Sequence, residues 1–247
     1  MSYIYEWTYE KILRAAMEQS AVDLSCEWED FCSDRNKVVL SHRNENARKY
    51  LELPFFCQLV TYGNNVVVSA SEEFAGIAKE YVDQFGAVRS FETPVLLSLN
   101  GELLKYGHQV CFMAEYYLPV PELIIPQECP YRLSVMEKPD FEKYYSPRFG
   151  NAICAEHAER DVLAVGAFDG SELVGLAGAS ADCGSMWQIG VDVLPEYRRR
   201  GIASAVTSRL AREIMDVARC RFTARRGRMS GLPETRSNAD SAPLGSS

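Results

Sequence analysis

The chain has 247 residues, of which 47% are hydrophobic and 24% charged, an ordinary globular balance with length for one large domain or two small ones. A net charge of −8 and a pI near 5.1 exclude a general nucleic-acid binder, which presents a basic face. No stretch approaches the roughly 18 consecutive apolar residues that span a bilayer, and the start MSYIYEWTYEK lacks the basic-then-apolar order of a signal peptide, so a cytoplasmic protein with no membrane partner is expected.

Residues 8–19 place Ile12, Ala15, Ala16 and Gln19 at helical spacing and predict an opening amphipathic helix. A second helix is expected over 44–52. Across 65–90 a β-branched run leads to Ser69 or Ser71 as an N-cap, then acidic residues, then apolar residues spaced for one face, which predicts a strand feeding a helix. The apolar stretch 110–118 reads as a strand. Residues 119–130, with four prolines, read as a linker between an N-terminal α/β domain at 1–118 and a second domain at 131–216.

The second domain opens with an alternating strand at 131–137, and Pro139 and Asp140 start a helix to about Tyr145. Residues 151–159 read as another short helix. Two strands at 161–170 and 172–181 flank Asp169-Gly170, a hairpin signal, and 186–194 reads as a third strand. Residues 201–216 then form a long helix with Ile202, Ala205, Val206, Leu210 and Ile214 along one stripe. The fold class expected is α/β of the α+β kind: a mixed, mostly antiparallel sheet flanked by helices, preceded by a smaller α/β domain.

The chemistry-bearing run is VDVLPEYRRRGIASAV, residues 191–206, where a strand ends and a helix begins. The first N–H groups of a helix have no intrahelical partner and the dipole is positive there, so a pyrophosphate is favoured. Gly201 permits close backbone approach, Ala203 and Ser204 keep the next turn open, the Ser204 hydroxyl can donate to phosphate, and Arg198, Arg199 and Arg200 add charge. The chain has neither a GxxxxGK[ST] loop nor the glycine spacing of a dinucleotide fingerprint. Its eight cysteines (26, 32, 57, 111, 129, 154, 183, 220) form no CxxC pair, and His42, His108 and His157 lie near no motif, so no metal is expected.

Arg198-x-x-Gly201-x-Ala203, with the strand 187–194 before it and the amphipathic helix after it, resembles the Arg/Gln-x-x-Gly-x-Gly/Ala signature of the GNAT N-acetyltransferase superfamily. The resemblance covers 131–216; the N-terminal half is similar only in its order of strands and helices and is read as a possible degenerate half of the same kind. It implies acetyl-CoA as co-substrate, held by the backbones of Val191 and Val193 and by a pyrophosphate loop of Arg198, Arg199, Arg200, Gly201, Ile202, Ala203 and Ser204. It also implies transfer of the acetyl group to an amine, aided by a base and by a backbone N–H at the oxyanion. The base is not legible: some members carry a glutamate where this chain has Trp187, and Asp182 and Glu115 are read first as surface or capping carboxylates. The acceptor and the oligomeric state are not legible either.

The resemblance implies a further strand, helix and closing strand after Asp216, whereas 217–247 is polar and without period, which predicts an irregular or disordered tail and an incomplete domain. Permitted codons for Cys220–Ser247, read two nucleotides later, give PFYCTAWSNVRSARNAIKCGFRPAWVE, a string with the strand, turn and helix the resemblance asks for. The alternative reading is therefore a frame-shifted, non-catalytic remnant that binds acyl-CoA without turnover.

Overall fold

A computed structural model describes residues 7–224, 235–236 and 241–246. Two compact units result: Ala16–Tyr116 with Pro243–Ser247, and Met1–Ala15 with Tyr117–Ala242. The opening helix α1 (Tyr9–Leu24) buries Ile12, Ala15, Ala16 and Gln19, the four positions picked out by spacing.

In the first unit, β1 (Lys37–Leu40), β2 (Cys57–Thr61) and β3 (Val66–Ala70) form a sheet in the order β1-β3-β2, with β1 parallel and β2 antiparallel to β3. The central strand is the β-branched run Val66-Val67-Val68, fully buried on both faces, as a strand paired on both sides allows. Helices α2 (Ala75–Arg89) and α3 (Thr93–Leu104) cover one face, with Phe74, Ala78, Val82, Leu99 and Leu103 in a single core with Leu59, Val66 and Val68. The strand-to-helix reading of 65–90 stands, without its cap: Ser69 lies inside β3, and it is the Ser71 carbonyl, not its hydroxyl, that receives the N–H groups of Phe74 and Ala75.

Two elements differ from expectation here. Residues 44–52 form turns, because side chains take their backbone groups: Asn44 accepts from Asn46 N at 3.0 Å, and Asp23 accepts both Arg48 N at 2.9 Å and the Arg48 guanidinium. The strand expected at 110–118 is confined to β4 (Glu115–Pro119); upstream, the chain has no regular structure and is hung on α3 through Val110 N to Asn100 Oδ1 at 2.8 Å.

The second unit carries β5 (Arg132–Met136), α4 (Lys138–Phe141), β6 (Asp161–Asp169), β7 (Glu172–Ser180), β8 (Met186–Val193) and α5 (Ile202–Ala224). The sheet order is β5-β6-β7-β8, antiparallel throughout, and the two-residue strand β9 (Thr235–Arg236) adds in parallel beside Met186 and Trp187. The mixed, mostly antiparallel sheet flanked by helices is thus the fold. The hairpin turns on Gly170, at φ +59°, and Ser171, one residue later than Asp169-Gly170 suggested. Helix α5 lies on one face, packing Ile202, Val206, Leu210 and Ile214 against Val165, Ala167, Val174, Ala177 and Trp187.

On the opposite face Phe141 and Phe149 pack with Leu173 and Leu176, and beside them the sheet is met by the backbone of Asn151 and Ala152 rather than by the helix expected at 151–159. Gly178 and Gly190 pair across β7 and β8, and a Cβ on either would collide with the carbonyl of Ala152 or Asn151. Asp192 clamps that segment, accepting from Asn151 N at 2.8 Å, Asn151 Nδ2 at 2.7 Å and Ala152 N at 2.9 Å. The segment bonds as a tight turn, with Ala152 N and Ile153 N donating to Phe149 O at 3.2 and 3.0 Å, and a 3-10 turn at Ala155–His157 follows. Helix α5 continues past the expected end at 216 to Ala224. Most of the tail 225–247, including the bulk of the frame-shifted reading, lies outside the described residues.

Candidate functional site

The site is built from the outer edge of β8 and the loop after it. Leu194 N donates to Val174 O at 3.0 Å, closing the β7–β8 ladder, in which Leu176 faces Asp192 and Gly178 faces Gly190. Main-chain groups alternate direction along an antiparallel strand, so Leu194, Asp192 and Gly190 point theirs at β7 while Val193 and Val191 point theirs away from it. Among the described residues only Met186 and Trp187 are paired on that outer side. Val191 and Val193 therefore offer an open ladder edge.

One acceptor of that edge is already used. Arg198 Nε donates to Val193 O at 3.2 Å, which pins the start of the loop to the end of the strand. The chain passes through a 3-10 turn at Pro195–Tyr197, and Arg199 at φ +62° and Gly201 at φ +78° both take the left-handed backbone before α5 begins. Two such reversals around Arg200 are what a short strand-to-helix connection needs, and only glycine accepts them without steric cost. Ala205 N closes the first helical turn on Gly201 O at 3.0 Å, so the N–H groups of Ile202, Ala203 and Ser204 have no intrahelical acceptor.

The arginines do not act alike. Arg200 is held by Tyr131 Oη at 2.6 Å and Glu196 O at 3.0 Å, with its guanidinium over the Tyr197 ring, so it braces the loop. Arg199 is exposed and makes no ion pair or hydrogen bond with a described residue. Ala203 and Ser204 are exposed on the first turn, whereas Ile202 is buried against Gly175 of β7 and can contribute only its backbone.

Sequence matching 130–226 assigns that segment to the Acetyltransferase (GNAT) family. Residues 130–226 are a GNAT domain. The match runs beyond residue 216, in keeping with the length of α5. Solved structures of low similarity include a GCN5-related N-acetyltransferase-like protein from Streptococcus suis, 17% identical over 51% of each chain with a TM-score of 0.34. A protein of unknown function from meticillin-resistant Staphylococcus aureus is 22% identical over 35% of this chain and 71% of its own, with a TM-score of 0.28. An aminoglycoside N-acetyltransferase, AAC(6')-Iy, solved in complex with CoA, is 18% identical over 47% of this chain and 82% of its own, with a TM-score of 0.25. The alignment spans about half the length of the S. suis protein. No curated protein matches the sequence.

Two features of the GNAT domain site carry no signal in the sequence. The proline-rich segment runs along α5: Ser208 Oγ donates to Ile125 O, Glu128 O lies 3.4 Å from where a Gly201 Cβ would stand, and Tyr131 receives Arg200. Asp192, between the two edge valines, spends its carboxylate on Asn151 and Ala152.

Of the carboxylates considered for catalysis, Asp182 is buried and accepts from Ser180 Oγ at 3.0 Å, while Glu115 is exposed and lies in the first unit. Trp187 is buried against α5. A separate buried carboxylate, Asp161, accepts from Tyr145 Oη at 3.0 Å and Cys154 N at 2.9 Å; burial pushes it above the ordinary 3.8, and those two donors oppose the rise. Among the described residues no helix is long and apolar enough to cross a membrane, and no group of three or more His, Cys, Asp or Glu is placed to hold a metal.

Proposed function

We propose that the GNAT domain binds acetyl-CoA along the outer edge of β8 and that the chain transfers the acetyl group to an amine. The observation that carries this is the continuity of two complementary surfaces. An unpaired main-chain edge at Val191 and Val193 suits an amide-bearing pantetheine arm, as an added strand would. It leads directly into a helix start with three unsatisfied N–H groups and the free guanidinium of Arg199, which suit a pyrophosphate. Because Arg198 holds Val193 O, the arm has the N–H of Val193 and both main-chain groups of Val191.

The chemistry is attack of a neutral amine on the thioester carbonyl. Negative charge develops on the carbonyl oxygen, which an outward N–H of this edge is suited to receive, and the amine proton must leave to a base or to water. Cytoplasmic location belongs to the same proposal.

A second reading is that the chain binds acetyl-CoA without turnover. It is favoured by Trp187, a buried indole at the strand position where the family resemblance expects a glutamate in some members. Calorimetric titration with acetyl-CoA, beside a CoA-thiol release assay over an amine panel, separates the two. Binding with release supports transfer, binding without release supports the second reading, and absence of binding overturns both.

A further inference from the structure

Three chain segments meet at the end of the sheet where β8 leads into α5. The register pairs Arg132 with Phe168 and Gly175 with Val193, so the start of β5, the β6–β7 hairpin and the end of β8 lie at that same end. From them come Tyr131, Asp169 and the turn Pro195–Tyr197. Arg200 gathers them. Its guanidinium donates to Tyr131 Oη at 2.6 Å and to Glu196 O at 3.0 Å, and lies 5.2 Å from the centre of the Tyr197 ring. The Tyr197 hydroxyl donates to Asp169 Oδ2 at 3.2 Å, and the Tyr131 and Tyr197 rings meet edge to face with centroids 5.6 Å apart.

This latch sits between two left-handed residues, Arg199 at φ +62° and Gly201 at φ +78°. A non-glycine residue in that region is strained and persists only where its surroundings hold it. The Arg199 side chain is exposed, so the hold comes from its neighbour. Arg200 supplies it through hydrogen bonds from a charged donor, which are stronger than neutral ones. Fixing Arg200 fixes the chain between the two reversals, and with it the direction in which the N–H groups of Ile202, Ala203 and Ser204 leave the first turn of α5. A guanidinium committed to Tyr131, Glu196 and Tyr197 serves the loop by shape rather than as a phosphate ligand.

We infer that Tyr131 is a positioning residue for acetyl-CoA: through Arg200 it holds the loop in the conformation that presents the helix N–H groups to the pyrophosphate. This rests on the acetyl-CoA reading above and adds to it a residue outside the arginine motif, 69 positions before Arg200.

The test uses the full chain and two readouts. Calorimetric titration with acetyl-CoA compares the wild type, Tyr131→Phe, Arg200→Met and the double variant. Tyr131→Phe keeps the ring and its contact with Tyr197 but removes the hydroxyl, so the melting temperature should stay within about 3 °C while acetyl-CoA binds about three- to tenfold more weakly. Arg200→Met should cost at least as much, and adding Tyr131→Phe to it should cost nothing further. Trypsin digestion of the ligand-free protein reads the loop by itself. Cleavage after Arg198 and Arg199 should rise several-fold in Tyr131→Phe, and cleavage after Arg209, within α5, should keep its wild-type rate. If the wild type does not bind acetyl-CoA, the acetyl-CoA reading falls and the positioning role with it. If the wild type binds and Tyr131→Phe binds equally well, if the two losses simply add, or if cleavage of the loop is unchanged or rises equally at Arg209, the positioning role alone is overturned. Should Tyr131→Phe fail to fold, Arg200→Met takes its place in both readouts, and wild-type behaviour there overturns the role.

Discussion

At Gly201 the backbone turns at φ +78° immediately before three helix N–H groups that have no partner in the helix. Valine there must hold a β-branched side chain in the left-handed region, at about 1–3 kcal/mol of strain, with its Cβ 3.4 Å from Glu128 O, so the loop that presents those N–H groups must shift. Arg199 is exposed and screened by solvent, so its loss should cost about 0.2–1 kcal/mol. Gly201→Val should therefore weaken acetyl-CoA binding in calorimetric titration more than Arg199→Ala does, and an equal or larger loss at Arg199 would count against this loop geometry. Thiol chemistry makes a second prediction. Burial pushes the Cys57 and Cys26 thiols up to about 12, so they stay protonated at neutral pH, while Cys32 and Cys111 are exposed. Alkylation of the native protein followed by peptide mapping should label Cys32 and Cys111 well before Cys57 and Cys26. Asp161 sets a third: its folded pKa is raised above 3.8, so the native state holds the proton more tightly than the unfolded chain. Its contribution is complete below pH 3.8 and is lost as pH rises through the raised value. Denaturant melts should show Asp161→Asn gaining stability relative to wild type between acid and neutral pH; a difference that does not change with pH would mean that Asp161 titrates normally.

Elements succeed or fail by where their backbone groups find partners. The strands β6, β7 and β8 follow their apolar alternation and hairpin residues, and α5 follows its stripe, because there periodicity and tertiary burial agree. At 44–52 local propensity loses to the distant Asp23, which takes the Arg48 N–H a helix would use, and at 151–152 Asp192 pins the backbone over Gly178 and Gly190. Helix α3 escapes pattern reading for a different reason: Leu97 and Leu104 are exposed beside buried Leu99 and Leu103, which blurs its apolar stripe. The glycine pair beneath 151–153 yields the element-scale prediction. A methyl group at Gly190 meets the backbone carbonyl of Asn151, which cannot swing aside as a side chain can. Gly190→Ala should destabilise by about 1–3 kcal/mol, and a domain of about 100 residues loses about 4–8 °C of melting temperature for each kcal/mol. An unchanged melt would show that the segment lifts off the sheet freely.

At the scale of the molecule, completeness of the GNAT domain turns on the chain beyond α5. An incomplete domain would be expected to leave the apolar stripe of α5 bare, yet Ile202, Val206, Leu210 and Ile214 are all buried by the sheet. That removes the largest apolar gain expected from restoring the alternative frame after Cys220. What remains is the outer edge of β8, paired among described residues only at Met186 and Trp187. A chain carrying PFYCTAWSNVRSARNAIKCGFRPAWVE in place of residues 220–247 should raise acetyl-CoA affinity more clearly than the ligand-free melting temperature. The added strand would wall the cofactor edge rather than cover an open core. Melting both chains with and without acetyl-CoA tests this, and identical ligand-induced shifts would mean that the alternative frame adds nothing to the site.

The order of strands in the second unit, the hairpin at Gly170, the helix after Gly201 and the residues of the arginine loop are all local facts. Period, turn chemistry and a short motif depend on neighbours within about a dozen positions, so the sequence by itself determined them. The division of labour within the loop was decided by tertiary structure. Arg200 braces Tyr131, Arg198 ties down Val193, Arg199 stays free, and Ile202 turns into the core. The same holds for the clamp on 151–152, where Asp192 reaches backbone 40 residues away in sequence. Contacts of that kind carry no period: which side chain reaches which backbone group depends on how the sheet and its covering elements pack, and only the folded chain brings them together.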